Sequence, residues 1–449
     1  MNEILALSGT EQARLIRKGQ ISSEELIAAH LARIEEVNPA LNAVVEVLQP
    51  PASHDVDGPL SGVPFSVKDS IEVEGTICSA GTLGYRNRPR SMRDATLVAR
   101  LRGAGAIPIA RTNLPDLLFA FESDNLIFGR TNNPYDLSRT SGGSSGGEAA
   151  LIAACGSPFG LGSDAAGSVR LPAHYCGIAG IKPTSRCLPR EGHVPPAGGW
   201  IEMLWQIGPM ARRVEDLIVM MPILMGDGRR RFNPIDSPRI GFFTDNGILP
   251  ADPDTVRTVR AAASALESTG LIVEEGRPPC IEQSYDLEMK FIGPDGGDGL
   301  RHFLREIGSH RTHPLLEGWL RKLEPYRTGL AGFADYWAQL DRFRAEMCTF
   351  LDRYDAILSP VAAQPAVPHG TSIDETVFPG FSYTMTHNLT GWPAAVVRCG
   401  TSHTGLPIGV QIAAAPWRED VALQLAQTLE SLLGQISDLP TSFLIPPLP

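Results

Sequence analysis

The sequence predicts an α/β fold, a single large mixed β-sheet sandwiched by helices, on three observations. Helix-periodic and strand-like segments alternate, as in "DATLVARLRGAGAIPIARTN" (residues 94–113), where an amphipathic stretch, a glycine stop and the run "AIPIA" follow one another. The run "SGVPFSVKDS" (61–70) is short, apolar and bounded by Gly, Pro and Ser, the pattern of a strand buried on both faces. Finally, 449 residues with 43% hydrophobic and 20% charged can bury a large core. Length alone would suit two or three domains, but α/β enzymes of this size also form one body.

Each element follows from local pattern. "SSEELIAAHLARIEEVN" places Ser22 and Glu25 at capping-box spacing, with Leu26, Ile27, His30, Leu31 and Ile34 recurring on one helical face. His30 on that face is expected to be a packed histidine, since no ligand motif accompanies it. Lys68 sits near the end of the apolar strand, an unusual place for a lysine. "GEAALIAACG" is helical with Gly156 as its stop, "SPFGLGSD" leads into a loop, and "CGIAGIKPT" follows as the next strand-like segment. From about Asp227 to Ala338 the reading is of charged helices separated by "GPDGGDG" and "SHRTHP". "FADYWAQLDRFRAEMCTFLDRYDAILSPV" is a long helix entering a strand, and "AAVVRCG", "GLPIGVQIAA" and "EDVALQLAQTLESLLG" return to alternation and complete the sheet begun near Lys68.

Composition excludes several classes. The net charge of −11 repels phosphate backbones, and the one compact basic run, Arg229 to Arg231, reads as a solvated loop, so nucleic acid is not an expected partner. Seven scattered cysteines without a CxxC pair argue for a reducing compartment, and the N-terminus lacks the apolar core of a signal peptide. The longest apolar run, "LIVMMPILM" at 217–225, is far short of the ~20 residues that span a bilayer. The chain is therefore expected to be cytoplasmic, without a transmembrane segment. His310 and His313 share HxxH spacing, but no further ligand follows, so no metal site is expected there.

The stretch "TSGGSSGGE" (140–148) carries the chemistry. Gly142, Ser144 and Gly146 spell GxSxG, yet the preceding "NNPYDLSRTS" is polar and turn-rich, whereas a nucleophile elbow needs an apolar strand there. No Lys–hydroxyl pair closes the run as in a P-loop, "GLGSDAAG" lacks dinucleotide spacing, and a linker would not start a helix at once with Glu148. Wound glycines before a helix N-terminus instead offer free N–H groups. A second small-residue loop, "GLGSDAAGSVRLPA", lies 24 residues on and can turn N–H groups toward an anionic intermediate. Two hydroxyls, Ser144 and Ser168, and the strand lysine Lys68 are the equipment for a nucleophile with a non-histidine base.

At "GVPFSVKD", "TSGGSSGGEAALIAACGSPFGLGSDAAGSVRLPAHYCGIAGIKPT" and "GPMARRVEDL", and more weakly at "YDAILSP", "NLTGWPAAVV" and "GLPIGVQIAA", the sequence resembles the amidase signature family, over roughly Ser22 to Gly226 and Tyr354 to Gln435. The resemblance implies the amidase signature fold and one domain over 1–449. Its signature core would lie at about 60–226, a variable substrate-selecting helical segment at about 227–338, and a sheet-completing part at about 339–449. It also implies a Ser-Ser-Lys triad: Ser168 the nucleophile, Ser144 the bridging serine, Lys68 the base, with a cis peptide before Ser144 and Ser145 in a supporting role. The N–H groups of Ala165, Ala166, Gly167 and Ser168 would form the oxyanion hole. Burial on an apolar strand suits Lys68 to this role by disfavouring its charged form. No metal or other cofactor is needed. Asp164 and Arg170 flank the loop as a supporting ion pair. One departure from the family is Ala166, which stands where a glycine is common; a positive φ there would be costly.

Within the family, "FESDNLIFGRTNNP", "GGSSGGEAALI" and "GSPFGLG" are similar to the fatty acid amide hydrolase branch, which implies Leu118 and Phe121 in an acyl pocket and a small-molecule substrate with an apolar or aromatic acyl group. Phe291, Phe303, Trp319, Phe333 and Trp337 are open to lining or to packing. The favoured reading is an amidase. A carbamate (urethane), anilide or ester hydrolase with the same triad, a glutamine-hydrolysing subunit of a tRNA amidotransferase and an inactive binding homologue are the alternatives. A homodimer is compatible with the sequence.

Overall fold

A computed structural model describes residues 2–49, 58–196, 199–226, 233 and 235–433. The basic run Arg229 to Arg231 lies outside the described residues. Eleven strands form one sheet: β1 (Val44–Val47), β2 (Pro64–Lys68), β3 (Ile107–Thr112), β4 (Phe159–Asp164), β5 (Ala179–Lys182), β6 (Gln206–Ala211), β7 (Ile240–Phe242), β8 (Val273–Glu275), β9 (Ala356–Pro360), β10 (Ala394–Thr401) and β11 (Pro407–Ala414). Their order is β1-β3-β2-β4-β6-β5-β10-β11-β9-β7-β8. β3, β2 and β4 run parallel, as do β9, β7 and β8, while the centre from β4 to β9 is antiparallel, so the sheet is mixed as expected.

Strands β2 to β6, β9 and β11 are buried along their whole length, which is why they read as continuous apolar or small-residue runs. One face is covered by the helices Thr96–Gly103, Val214–Met225, Pro253–Glu267 and Glu419–Leu433, the other by Ser23–Leu41, Gly146–Ala153 and Arg170–Cys176. The apolar run at 217–225 is thus a core helix, and no helix among the described residues is long and apolar enough to cross a membrane. The capping box closes as expected. Ser22 Oγ accepts the Glu25 N–H at 3.1 Å, and Glu25 Oε2 accepts the Ser22 N–H at 2.9 Å. His30 is a packed histidine, bonded to Gly156 O (3.2 Å) and Gln12 Oε1 (3.4 Å), with burial pushing its imidazole down to about 4.

Two departures from the sequence reading stand out. "SPFGLGSD" is not a lead into a loop but strand β4, in the parallel part of the sheet. Gly160 and Gly162 hide it from a propensity argument, yet they are what packing requires. A Cβ at Gly160 would overlap the Glu148 carboxylate and one at Gly162 would come within 2.8 Å of Ser145 Oγ, so both admit the helix Gly146–Ala153 against the strand. The segment after Asp227 also contributes two strands, β7 and β8, at one sheet edge; at three residues each they carry too little periodicity to be read.

Candidate active site

The site lies at the carboxyl ends of the parallel neighbours β2 and β4, where ligands commonly sit in α/β sheets. Lys68 is the last residue of β2 and is fully buried. Its Nζ lies within hydrogen-bond distance of three hydroxyls: Ser144 Oγ at 2.6 Å, Ser145 Oγ at 3.0 Å and Ser163 Oγ at 3.1 Å. Burial pushes the ammonium well below the ordinary lysine range, against the opposing pull of Asp164 and Glu148. Glu148 does not supply a full countercharge, because burial raises its carboxyl to about 7; the Ser66 and Thr112 hydroxyls, both hydrogen-bonded to it, act in the opposite direction.

The glycine run holds Ser144 in place by close approach. The Gly143–Ser144 peptide is cis. A Cβ at Gly143 would meet Ala120 O at 2.5 Å, and one at Gly147 would meet Asn113 backbone atoms at 2.5 Å, so the run is packed between other segments. Ser123 Oγ ties its ends together, donating to Gly142 O (3.0 Å) and accepting the Gly146 N–H (2.9 Å). Ser145 bridges the two loops: its N–H donates to Ser168 O (3.2 Å), and its Oγ accepts the Ser163 N–H (3.3 Å).

The loop after β4 is organised by Asp164. Its carboxylate accepts the N–H groups of Gly167 (2.8 Å) and Val169 (3.1 Å), Asn388 Nδ2 (2.9 Å) and a two-pronged contact from Arg170 (3.0 and 2.9 Å). Burial would raise this carboxyl, but Arg170 and the surrounding donors hold it well below the usual carboxylate range. Arg170 in turn donates to Thr384 O, Gln411 Oε1 and Asn388 Oδ1 at 2.6–2.7 Å, so the supporting ion pair is a web reaching the far end of the chain. Thr384 Oγ1 also donates to Ala166 O at 2.7 Å.

This web corrects one expectation. The Gly167 N–H was expected to face the cleft, but it donates to Asp164, whereas the N–H groups of Ala165, Ala166 and Ser168 have no acceptor among the described residues. The positive φ falls at Gly167 (122°) and not at Ala166, so the alanine that departs from the family pattern bears no left-handed strain.

Ser144, Ser163, Ala165, Ala166 and Ser168 line one cavity of about 40 Å³. Its other walls are Leu118, Phe119, Ala120, Phe121, Ile201, Trp205, Ile292 and Trp319. No hydrogen bond joins the Ser144 and Ser168 hydroxyls directly. Leu118 lines the cavity with φ at 68°, next to Leu117 at 48°, a strained turn of the kind found at functional walls. The Phe121 ring both lines the cavity and packs on Phe381 (4.3 Å) and Trp319 (5.5 Å). Phe119, Ile201, Trp205 and Ile292 also border an outer chamber that Phe303 and Trp200 line. Phe291, Phe333 and Trp337 pack on one another instead.

Ser163, Thr384, Asn388 and Gln411 escaped the sequence reading as site residues. Asn388 and Gln411 lie within the weaker matches "NLTGWPAAVV" and "GLPIGVQIAA", a signal that could have found them. His313, half of the HxxH pair, is the N-cap of the helix Pro314–Leu323, its Nδ1 accepting the Leu315 N–H at 3.3 Å.

This architecture is shared with hydrolases of amide bonds. A solved structure of 6-aminohexanoate cyclic dimer hydrolase superposes with a TM-score of 0.86 at 28% identity, covering 98% of this chain and 99% of that one. In sequence the chain is 32% identical to fatty-acid amide hydrolase 2 of Homo sapiens, covering 96% of this chain and 90% of the relative. It is 30% identical to a glutamyl-tRNA(Gln) amidotransferase subunit of Halothermothrix orenii, covering 96% and 98%. The Amidase family model matches residues 25–423, and the chain belongs to that family, the amidase signature enzymes. It is a hydrolase of amide carbon–nitrogen bonds.

Proposed function

We propose that the protein hydrolyses amides of apolar or aromatic acyl groups through an acyl-serine, with Ser168 as nucleophile, Ser144 as proton bridge and Lys68 as base. The observation that carries this reading is the fully buried Lys68 amine, 2.6 Å from Ser144 Oγ, whose charged form burial disfavours. A neutral amine takes the Ser144 proton as Ser144 takes that of Ser168, a relay that a rotation of the Ser168 side chain toward Ser144 completes. Ser168 Oγ then attacks the acyl carbon, and the tetrahedral oxyanion meets the N–H groups of Ala165, Ala166 and Ser168, which have no acceptor among the described residues, each such donor being worth about 3 kcal/mol of barrier. The relay reverses to protonate the leaving nitrogen, and water repeats the sequence on the acyl-serine. Carbamates, anilides and esters present the same carbonyl geometry and fit the same triad.

A glutamine-hydrolysing role is the second reading, favoured by the similarity to the glutamyl-tRNA(Gln) amidotransferase chain. Against it, no side chain lining the cavity is charged, so nothing there pairs with the ammonium and carboxylate of glutamine. A hydrolysis screen over amides, anilides, carbamates, esters and glutamine, with fluorophosphonate labelling of wild type and Ser168→Ala, tests the proposal. Apolar acyl amides should turn over and labelling should vanish in Ser168→Ala; persistent labelling of that variant refutes the assignment.

A further inference from the structure

Glu148 lies outside the cavity, yet it holds together the two segments that meet at Lys68 Nζ. It is fully buried and is the third residue of the helix Gly146–Ala153, which begins directly after Ser144 and Ser145. Its Oε1 accepts the Ser66 hydroxyl, and its Oε2 accepts that of Thr112 at 2.7 Å. Ser66 stands two residues before Lys68 on β2, so both side chains leave the same face of the strand, and Thr112 is the register partner of Lys68 on β3. The carboxyl group is therefore bonded on two sides of the base, along its strand and across the sheet. On β4, a Cβ at Gly160 would overlap Oε1, so the neighbouring strand leaves room for the acid. Burying a carboxyl group is costly unless it is bonded, and here neither bond closes the helix itself. Both tie the helix to the strand that carries the lysine and to the strand beside it.

We propose that Glu148 is a positioning residue of the proton relay: it braces the helix that follows Ser144 to the strand that ends in Lys68, and so fixes the separation of the amine from the bridging hydroxyl. The inference rests on the acyl-serine reading above, since it takes Lys68 and Ser144 to pass the proton. Proton transfer needs the two groups within hydrogen-bond reach, and a brace that slackens by about 1 Å costs turnover on the order of 100-fold. Substrate binding is not directly involved, because Glu148 forms no part of the cavity wall. The brace also bears on the charge of the base. The Glu148 carboxylate favours the charged form of Lys68, and Asp164 acts in the same direction from the end of β4. Arg111 on β3, paired with Asp69 at 2.9 Å, favours the Glu148 carboxylate, while burial disfavours the charged form of His193, the further ionisable group beside Lys68.

The test compares Glu148→Ala, which removes the brace and the charge, with Glu148→Gln, which removes the charge alone because its amide offers an acceptor to one hydroxyl and a donor to the other. Steady-state kinetics on an acyl anilide across pH are read beside thermal melts. Glu148→Ala should lose kcat about 100-fold with KM little changed, and Glu148→Gln should recover most of that loss. In Glu148→Gln the acid limb of kcat/KM should also move to lower pH, since the carboxylate that favoured the protonated amine is gone; a residue that only packs would leave the limb in place. Wild-type kcat in a folded Glu148→Ala, no recovery in Glu148→Gln, or an unmoved limb overturns the proposal. Where Glu148→Ala does not fold, Ser66→Ala takes its place: it cuts one arm of the brace and keeps the charge, and should lower kcat about 10-fold, the worth of one hydrogen bond. Wild-type kcat in Ser66→Ala then overturns the proposal. The acyl-serine reading fails separately, if a fluorophosphonate does not label Ser168 in the wild type or labels it at the wild-type rate in Lys68→Met, and this inference falls with it.

Discussion

Thr384→Val tests whether the web behind the nucleophile loop sets the reaction rate. The substitution keeps the branched shape and removes one hydroxyl, which is 1% exposed and donates to Ala166 O at 2.7 Å, with Phe381 O of its own helical turn at 2.8 Å. Ala166 O is left buried without that donor, so stability should fall by about 1–3 kcal/mol. The catalytic effect is separate. Ala166 carries one of the N–H groups proposed to meet the oxyanion, and the peptide that follows it is held by Thr384 at its carbonyl and by Asp164 at the Gly167 N–H. If the loop relaxes enough to misdirect one donor, kcat should fall about 100-fold. KM should move little, because the oxyanion exists only in the transition state. Steady-state kinetics on an acyl anilide, beside urea unfolding, measures both. A variant that loses stability but keeps its kcat would show that Thr384 packs against the loop without positioning it.

Other consequences follow from the same geometry. Lys68→Met should abolish turnover yet hold or raise stability at neutral pH. The folded-state value of Lys68 lies below the unfolded one, so burying it neutral costs free energy, a cost that shrinks as pH rises toward the unfolded value of about 10.4; urea melts across pH would read this, and a variant less stable than wild type at pH 7 would contradict it. The same depression means that kcat/KM of the wild type falls on the acid side as Lys68 takes up a proton. Glu148 behaves oppositely: with its carboxyl raised to about 7 from about 4.3 when unfolded, wild-type stability should decline as pH climbs through that window, and Glu148→Gln should flatten the decline. Gly160→Ala should destabilise by about 1–3 kcal/mol, since its methyl group would overlap Glu148 and press on Ser66 O, displacing the helix that follows Ser144; a thermal melt unchanged from wild type would show that the helix and strand can part at little cost.

The features legible in the sequence are local or spelled out in one continuous block. The capping box at Ser22, the strand ending in Lys68, the unit from Thr96 through Thr112 and the spacing of Ser144 and Ser168 each depend on neighbours in the chain, where periodicity and backbone chemistry leave a direct trace. Which groups those residues meet is set by the packing of distant segments. Ser163 joins Lys68 across two parallel strands, the Gly167 N–H turns to Asp164 and away from the cleft, and Thr384, Asn388 and Gln411 converge on a loop more than 200 residues earlier in the chain. Strand β4 leaves no such trace, because its glycines answer to a helix pressed against them and not to any preference of their own. The physical cause is that burial and hydrogen-bond satisfaction are properties of the packed sheet: the charged form of Lys68 is disfavoured because seven wholly buried strands and two helical layers exclude water around it, which no single stretch of sequence specifies.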